Sequence, residues 1–539
     1  MKPHPISPLR SRRAFNFWRP AACGFALAGL LILAGCMVGP DYHAPATKAP
    51  ETWTSLSLAP NATQMAGGNL SLSPDSSLAA NLTVPANTAT SLVSPTNITI
   101  VNWWTAFNDP ELNHLIQEAA DRNLTVLQTM AAVREARATV NVVSGSFWPS
   151  ANGSGSYQFG ASNGGATGIN TYQLGGNALW NVDVFGGVRR QIESAEASLQ
   201  AAMENRNDAL VTLEAQIGTT YLDLRTAQYL LQIAHTNYDI QNHTLEITQQ
   251  RFSGGFVSEL DVANALAQTE NTLAQIPTLE SEARADIYLL STLLGREPSA
   301  LLDELDASGP MLQAPAEIPI GLPSDLLRRR PDIRAAEAEL HAANANIGVA
   351  IAALFPQFSL TSSLQFQAGS LGQLLKWANS SWTVGPTVNW QIFAAGSIIA
   401  NVHLQEAGQL SAFYNYKSTV LTAFQQVETA LTAFYKEQER CAALRQSVAA
   451  NQKATDLSME LYKEGNTEFL NVLTAESGLF SSQQQLAVSE QAVSADLITL
   501  YQSLGGGWSA FPEQNAEPLP FPQFPYGASR TPSLPPRGK

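Results

Sequence analysis

Four short segments of this chain alternate between apolar and polar residues. The alternation is clearest in residues 357–367 and 381–393 and weaker in residues 172–184 and 151–161. A period of two residues places neighbouring side chains on opposite faces of a strand. The pattern therefore predicts two β-hairpins, at about 151–184 and 357–393, with one apolar and one polar face. The clearest apolar face carries Phe358, Leu360, Leu364 and Phe366, followed by Val384, Pro386, Val388, Trp390 and Ile392.

A long helical pattern follows each hairpin. Residues 188–252 contain no proline, and residues 397–464 repeat the pattern. Apolar residues recur at the spacing of a coiled-coil seam, at Leu199, Leu210, Leu213, Ile217, Tyr221 and Leu224. A helix over 188–252 would extend for roughly 98 Å. Shorter helices are predicted over 111–147 and 325–355. After each long helix a shorter returning helix runs back along it, and each of the two shorter helices could stack end to end with that returning helix.

The whole arrangement occurs twice. Gly254 and Gly255 interrupt the first long helical pattern, and Gly465 interrupts the second in a similar sequence context. We interpret residues 109–300 and 325–505 as two copies of one unit, joined by a linker at 301–324. The glycines predict tip turns at about 253–257 and 464–467, because glycine accepts backbone conformations that other residues avoid. Ser258 and Thr467 are the predicted N-caps of the returning helices.

The strands have the length and the two-faced pattern of transmembrane β-strands in an outer membrane. Trp180, Trp382 and Trp390 would suit the aromatic girdles of such a barrel. A soluble four-stranded sheet is the alternative. Four strands cannot close a barrel, and lipid does not tolerate an open sheet edge, so the membrane interpretation requires an oligomer. A dimer would give eight strands and a filled interior, whereas a trimer would give twelve strands and a lumen. The small polar inner face favours the trimer.

The first residues resemble the signal of a bacterial lipoprotein. Basic residues precede the apolar stretch "FALAGLLILAG", which ends at Leu33-Ala34-Gly35-Cys36. We expect residues 1–35 to be removed and Cys36 to be acylated; an ordinary signal peptide is the alternative. Residues 36–108 would then form a lipid-anchored, extended arm. The proline-rich residues 506–539 read as an irregular tail.

Composition and motifs argue against several classes of function. The net charge is −15 and becomes −20 without residues 1–35, which argues against nucleic acid or anionic lipid as a main partner. Beyond Cys36 only Cys441 remains, so no disulfide framework is possible, and we expect Cys441 to be a small buried residue. The seven histidines form no HExxH-type spacing, and no phosphate loop or catalytic triad is apparent. The sequence predicts no enzyme, no cofactor and no metal site.

Four motifs resemble the outer-membrane factor family, the TolC-like and NodT-type lipoprotein channels of efflux pumps. They are "CMVGPDYHAP" at 36–45, "WWTAFNDPELNHLI" at 103–116, "LLRRRPDIRAAEAELHAANANIGVAIAALFP" at 326–356 and "LYQSLGGGW" at 500–508. The resemblance implies a homotrimer in which a 12-stranded β-barrel in the outer membrane continues into a periplasmic α-barrel. It also implies a passive exit duct that works with a periplasmic adaptor and an inner-membrane pump of the resistance-nodulation-division type.

We predict that the tip turns form the adaptor-docking and gating end, because these repeated breaks in otherwise continuous helices mark an end of the rod, where a partner can dock without interrupting the wall. Docking would involve Gly254, Gly255, Ser258, Gly465 and Thr467. Related channels often carry acids in the last returning helix, but the matching residues here, Asn471 and Thr474, are neutral. Asp261 and Glu468 complete the candidate constriction, unless all four are ordinary polar residues. Two other functions stay open: an exit duct for type I protein secretion, and a structural coiled-coil surface lipoprotein.

Overall fold

A computed structural model describes most of the chain after residue 36. The described residues are 37–46, 49–50, 52–55, 92–94, 100–160, 168–315, 317–319 and 323–512. The predicted signal segment with Cys36, most of the arm and the end of the tail lie outside the described residues.

Both repeats contain helices before a hairpin, a very long helix after it, and returning helices. The first repeat consists of α1 (Pro110–Arg122), α2 (Leu124–Gly145), β2 (Ser150–Gly160), β3 (Ile169–Val182), α3 (Gly187–Ser253), α4 (Glu259–Leu273) and α5 (Ile276–Leu293). The second consists of α7 (Pro323–Arg329), α8 (Pro331–Ala352), β5 (Gln357–Ala368), α9 (Leu371–Leu374), β6 (Ser380–Asn389), α10 (Ser397–Glu464) and α11 (Phe469–Ser503). The linker contains α6 (Leu302–Leu305) and β4 (Glu317–Pro319), which pairs in parallel with β1 (Leu92–Ser94) in the arm.

The two hairpins form one antiparallel sheet with the strand order β2-β3-β5-β6. Its register keeps apolar residues together, since Leu360 lies opposite Trp180 on one side and Pro386 on the other. On the opposite face the Ser363 and Thr383 hydroxyl oxygens are 2.8 Å apart. The predicted alternation and the four predicted strands are confirmed.

The last strand is shorter than its alternation predicts, because β6 ends at Asn389 instead of reaching residue 393. Asn389 pairs with Gln357, the first residue of β5. Pro356 precedes Gln357 and has no backbone N–H to donate, so residues after Asn389 have no hydrogen-bonding partner on β5. Trp390 instead uses its indole N–H, which donates to the Leu354 carbonyl at 3.1 Å.

The two long helices are present as predicted. Helix α3 has 67 residues and α10 has 68. Helix α3 packs against α2 and α8 over the half near the sheet and against α4, α5 and α11 over the other half. Most of the predicted seam is buried: Leu210, Leu213, Ile217, Tyr221 and Leu224 are at most 5% exposed, whereas Leu199 is half-buried.

The helices predicted over 111–147 and 325–355 are each broken in two. The first breaks at Asn123, whose backbone is extended and whose side-chain oxygen accepts the N–H groups of Thr125 and Val126. The second breaks at Arg330, because the proline at 331 disfavours a helical conformation in the residue before it. The first returning helix is also interrupted, between α4 and α5, just before Pro277.

The breaks before the hairpins lie where the predicted end-to-end stacking occurs. Asn123 donates its side-chain N–H to the Leu293 carbonyl at 2.8 Å, at the end of α5. Arg330 donates to the Ser503 carbonyl at 2.8 Å, at the end of α11. A large hydrophobic core surrounds these junctions and includes Trp103, Trp104, Leu112, Tyr221, Ile333, Val427 and Ile498. The end-to-end stacking is confirmed.

Candidate functional site at the helix tips

The two glycine turns lie together at the end of the long helices, away from the sheet. A small hydrophobic core joins them: Leu245, Ala265, Tyr462, Phe469 and Val472 are buried and come from α3, α4, α10 and α11. Each turn alone would leave these side chains exposed to water. Their burial against each other fixes the two hairpins as one tip.

The glycine conformations explain why the turns occur where they do. The φ angle is 75° at Gly255 and 82° at Gly465, in the left-handed region that other residues adopt only with strain. A Cβ on Gly255 would meet no atom within 4 Å, so backbone conformation and not space requires glycine there. Gly254 has an ordinary φ of −77°, and a Cβ on it would contact the exposed ring of Phe256.

One of the two predicted N-caps is correct. Ser258 is the N-cap of α4, and its backbone N–H and hydroxyl donate to the Asp261 carboxylate at 3.0 and 2.9 Å. Thr467 is not an N-cap, because α11 begins one residue later than expected, with Glu468 as its N-cap. Burial of Phe469 in the tip core sets this start. Thr467 instead accepts a hydrogen bond from the Asn471 side chain at 2.8 Å.

An arginine and a tyrosine hold the two hairpins together, and neither is among the residues predicted from the sequence. The Arg251 guanidinium lies over the Tyr462 ring, 4.5 Å from its centroid, and donates to the Tyr462 carbonyl. The Tyr462 hydroxyl donates to the Thr248 hydroxyl oxygen at 3.4 Å. Arg251 lies four residues before Gly255 and Tyr462 lies three residues before Gly465, so a cation and an aromatic residue shortly before the two turns were the signal available in the sequence.

The candidate constriction residues are divided between two helices. Asp261 lies on α4, is half-buried and is engaged by Ser258. Glu468, Asn471 and Thr474 lie at the start of α11 and are exposed. Within one chain these three residues therefore expose polar groups to solvent, whereas the carboxylate of Asp261 accepts hydrogen bonds from Ser258 at the start of α4.

The tip also exposes large apolar side chains. Phe256 is 77% exposed, Leu260 is 67% exposed and Leu470 is 60% exposed. They lie in or just after the two turns. A group of exposed apolar residues at one end of a molecule is typical of an interaction surface.

Polar side chains are buried between α3 and α11 behind the tip. Glu476 is 4% exposed, and its carboxylate lies 2.7 Å from the Thr244 hydroxyl oxygen. Burial raises the pKa of Glu476 to about 7. Asn237 donates to Gln483 at 2.8 Å in the same interface. The helices near the tip are therefore joined partly through polar groups, which the sequence pattern does not predict.

The rest of the described chain contains few groups suited to catalysis or metal binding. Cys441 is 3% exposed, and burial raises the pKa of its thiol, so its nucleophilic thiolate form is disfavoured. Among the described residues, no group of three or more His, Cys, Asp and Glu side chains could hold a metal ion. In the same residues, no helix combines the length and the apolar character that crossing a membrane requires.

Comparisons with known proteins identify the family. The sequence model of the outer membrane efflux protein family matches residues 115–296 and 322–506. Nodulation protein T of Rhizobium leguminosarum bv. trifolii is 30% identical over 486 residues, which are 89% of this chain and 96% of that protein. The antibiotic efflux pump outer membrane protein ArpC of Pseudomonas putida is 31% identical over 487 residues, 88% of this chain and 94% of that protein.

A solved structure agrees with the sequence comparisons. The outer-membrane channel OprN has 32% sequence identity and a TM-score of 0.77, with 88% of this chain and all of that chain covered. The resemblance inferred from the four motifs is confirmed, together with the efflux function and a mainly helical chain with one four-stranded antiparallel sheet. This chain belongs to the outer membrane efflux protein family.

Proposed function

We propose that three copies of this chain assemble into the exit duct of a tripartite efflux system. The duct is passive: a periplasmic adaptor docks at the helix tips, and an inner-membrane pump, of the resistance-nodulation-division type, supplies the energy. Acylated Cys36 anchors each copy in the outer membrane. The kinship with ArpC, an antibiotic efflux pump protein, supports small molecules as the cargo.

Two features support assembly into a trimer. Within the described residues, β2 and β6 each have a partner strand on one side only. Helix α10 also presents a face of apolar side chains that lacks cover within the chain: Ile399, Leu404, Leu410, Tyr414 and Leu421 are 48–65% exposed. Pairing β2 of one copy with β6 of the next would close the sheet and bring α2 of the first copy beside α10 of the second.

Hydrogen bonds from Arg190 to the first described residues support the lipid anchor. Arg190 is 1% exposed and donates to the Val38 and Gly39 carbonyls, at 3.2 and 3.3 Å, and to the Asp41 carboxylate at 2.7 Å. The Val38 N–H donates to the Phe185 carbonyl at 3.1 Å. Since Phe185 follows the end of β3, the start of the described chain, close to Cys36, is held near the membrane end of the molecule.

The observation that carries the proposal is the joining of two hairpin turns into one tip with exposed apolar side chains. Helix α3 runs from the sheet to this tip, so the tip is the end of the molecule away from the membrane. A partner can contact the end of a helical barrel without interrupting its walls. Phe256, Leu260 and Leu470 give that end the apolar surface that stable docking needs.

Replacing both left-handed glycines tests the proposal. Gly255→Val with Gly465→Val should strain each turn by on the order of 1–3 kcal/mol. Because the helices bury extensive surface elsewhere, the protein should still assemble in the outer membrane. We expect efflux and cross-linking to the adaptor to be lost, as measured by drug accumulation and by site-directed cross-linking in cells.

Gly145→Val provides the control, because Gly145 ends α2, has an ordinary φ, and lies where a Cβ would meet no atom within 4 Å. This variant should pump and cross-link as the wild type does. If the double valine variant also does so, the tips are not the docking site.

A further inference from the structure

The outward face of the sheet contains an apolar groove of about 660 Å³. Its floor consists of small residues in register on three neighbouring strands: Ala151 lies opposite Ala178, and Ala178 lies opposite Ser362. Gly176 extends this floor, while Leu364, Trp382 and Val384 form the wall on the β5 and β6 side. The groove lies on the face that carries Leu360 and Val388, which is the lipid-facing side of a closed barrel.

The connection between β5 and β6 covers one end of the groove. Trp377 lines the groove and packs edge-on against Phe366, with ring centroids 6.4 Å apart. Leu371 and Leu375, in the same connection, are 68% and 70% exposed. This connection lies at the end of the sheet away from the long helices, so it reaches the outer surface of the outer membrane. Its exposed apolar side chains continue the lipid-facing surface of the strands.

A single cation lies beside the groove. In residues 138–188 and 342–402, which include both hairpins, only Asp183 and Lys376 carry a formal charge. Asp183 lies at the helix end of the sheet, where its carboxylate accepts the N–H groups of Val188 and Arg189. Lys376 is exposed and directly precedes Trp377, which lines the groove. The charge at the outer end of the sheet is therefore positive.

We propose that this groove binds one molecule of the phosphorylated glycolipid lipid A, from the outer leaflet of the outer membrane. An acyl chain occupies the apolar groove between Trp377 and the row of small residues. Lys376 pairs with a phosphate of the head group, and the indole rings of Trp377 and Trp382 lie at the boundary between acyl chain and head group.

Two observations favour this occupant. The groove opens toward lipid, so pairing of β2 and β6 with neighbouring copies leaves it accessible. The mature chain has a net charge of −20 and would repel anionic lipid in general, as its composition indicates. Binding of an anionic lipid therefore needs a local cation, such as Lys376. Lipid A combines acyl chains with phosphate groups at the outer surface of the membrane.

Native mass spectrometry of the purified full-length protein tests the site, with bis-phosphorylated, hexa-acylated lipid A as the probe. Wild type should retain one lipid A per chain. Ser362→Trp fills the groove and should weaken retention about tenfold, as the loss of burial of roughly two methylene groups would do. Lys376→Gln should weaken it about fivefold, the contribution expected of one lysine at a lipid surface.

Val388→Trp is the matched control, since Val388 is an exposed residue of the same face that does not line the groove. It should retain lipid A like the wild type, and circular dichroism should show that all three variants are folded. Dephosphorylated lipid A should bind wild type as weakly as lipid A binds Lys376→Gln. Equal retention by wild type and Ser362→Trp would overturn the groove as the site. Equal retention of phosphatidylethanolamine would overturn lipid A as its occupant.

Discussion

At the scale of single residues, the tip combines two glycines in the left-handed conformation with a buried acid. Gly255 and Gly465 set where the chain turns, whereas Glu476 is buried against Thr244 between the helices behind the turns. Thr244 has one hydroxyl hydrogen, and the Ile240 carbonyl lies 3.1 Å from its oxygen. A neutral Glu476 can donate to Thr244 while Thr244 donates to Ile240, but an ionised Glu476 would compete for that hydrogen. Packing near the tip should therefore depend on pH.

Glu476→Gln should remove this pH dependence. The pKa of Glu476 is about 7 in the folded protein and 4.5 in its ordinary state, so the unfolded chain loses the proton first as pH rises. The stabilisation is fully present below pH 4.5 and is lost between pH 4.5 and about 7. Glutamine keeps a hydrogen bond without ionising, and should stabilise the tip above pH 7 by about 1–3 kcal/mol.

Hydrogen exchange of the amides in residues 240–248, at pH 5 and pH 8, measures this effect. Wild type should exchange faster at pH 8 after correction for the intrinsic rate, and Glu476→Gln should not. Glu490→Gln is the control, since Glu490 pairs with Arg445 near the surface of the same helix. An unchanged pH dependence in Glu476→Gln would show that another group is responsible.

We propose Glu468 as the acid of the closed constriction, because its side chain is exposed whereas the Asp261 carboxylate binds Ser258. Glu468→Gln should raise the single-channel conductance in planar lipid bilayers, since in this proposal the Glu468 carboxylates of the assembled copies form the ring that narrows the closed pore. Asp261→Asn should leave the conductance nearer to that of the wild type and loosen the start of α4. If neither change alters the conductance, residues other than these acids form the constriction.

At the scale of elements, the sheet separates two environments by the alternation of its strands. Leu360, Leu364 and Val388 lie on one face and are 40–57% exposed in the single chain. Thr361 and Thr387 lie on the other face, with their hydroxyl oxygens 3.4 Å apart. The register that pairs Phe358 with Val388 leaves no freedom to slip by one residue, because a slip would exchange the two faces.

Arginine substitutions at adjacent residues of β6 test this separation. Val384→Arg should impair assembly, because Val384 lies in the middle of β6 and a charge on the lipid face near the middle of the membrane costs roughly 2–4 kcal/mol. Thr383→Arg, on the opposite face of the same strand, points to the lumen and should assemble and alter the conductance. Heat-resistant oligomers on gels and bilayer recordings would measure both effects. Equal tolerance of the two arginines would refute the assignment of faces.

At the scale of the whole molecule, the N-terminal arm contacts both repeats. Arg190 holds the first described residues, and Trp53 is 3% exposed in the main core. The Thr54 N–H donates to the Glu428 carboxylate at 2.7 Å. Burial alone would raise the pKa of Glu428, but hydrogen bonds from Ser55 and Thr54 stabilise the ionised carboxylate, and the pKa is lowered on balance. The arm thus joins the membrane end of the chain to the side of α10.

We predict that Cys36 is acylated and that the mature protein resides in the outer membrane. Met37 follows the cysteine, where proteins retained in the inner membrane carry aspartate. Labelling with a radioactive fatty acid and fractionation of the envelope should find label in the outer membrane. Cys36→Ser should lose the label. An unlabelled wild-type protein, or one found in the inner membrane, would contradict the prediction.

The features that could be predicted from the sequence are those that rest on local pattern. Alternation predicted the strands and their faces, since side-chain direction in a strand depends only on position. The absence of proline predicted α3 and α10, and the repeated glycines predicted the turns. Four motifs indicated the family, because each is a continuous run of residues that can be recognised without its distant neighbours.

Contacts between segments that are distant in the chain became visible in the folded protein and could not be predicted from local pattern. The contact of Arg251 with Tyr462, the burial of Glu476 and the groove across β2, β3 and β5 each join residues far apart in the chain. Helix α11 begins after Thr467, since Phe469 is buried by the other hairpin. Strand β6 ends at Asn389, because β5, its partner, begins at Gln357. Local pattern cannot specify these outcomes, since each depends on which surface a neighbouring element provides.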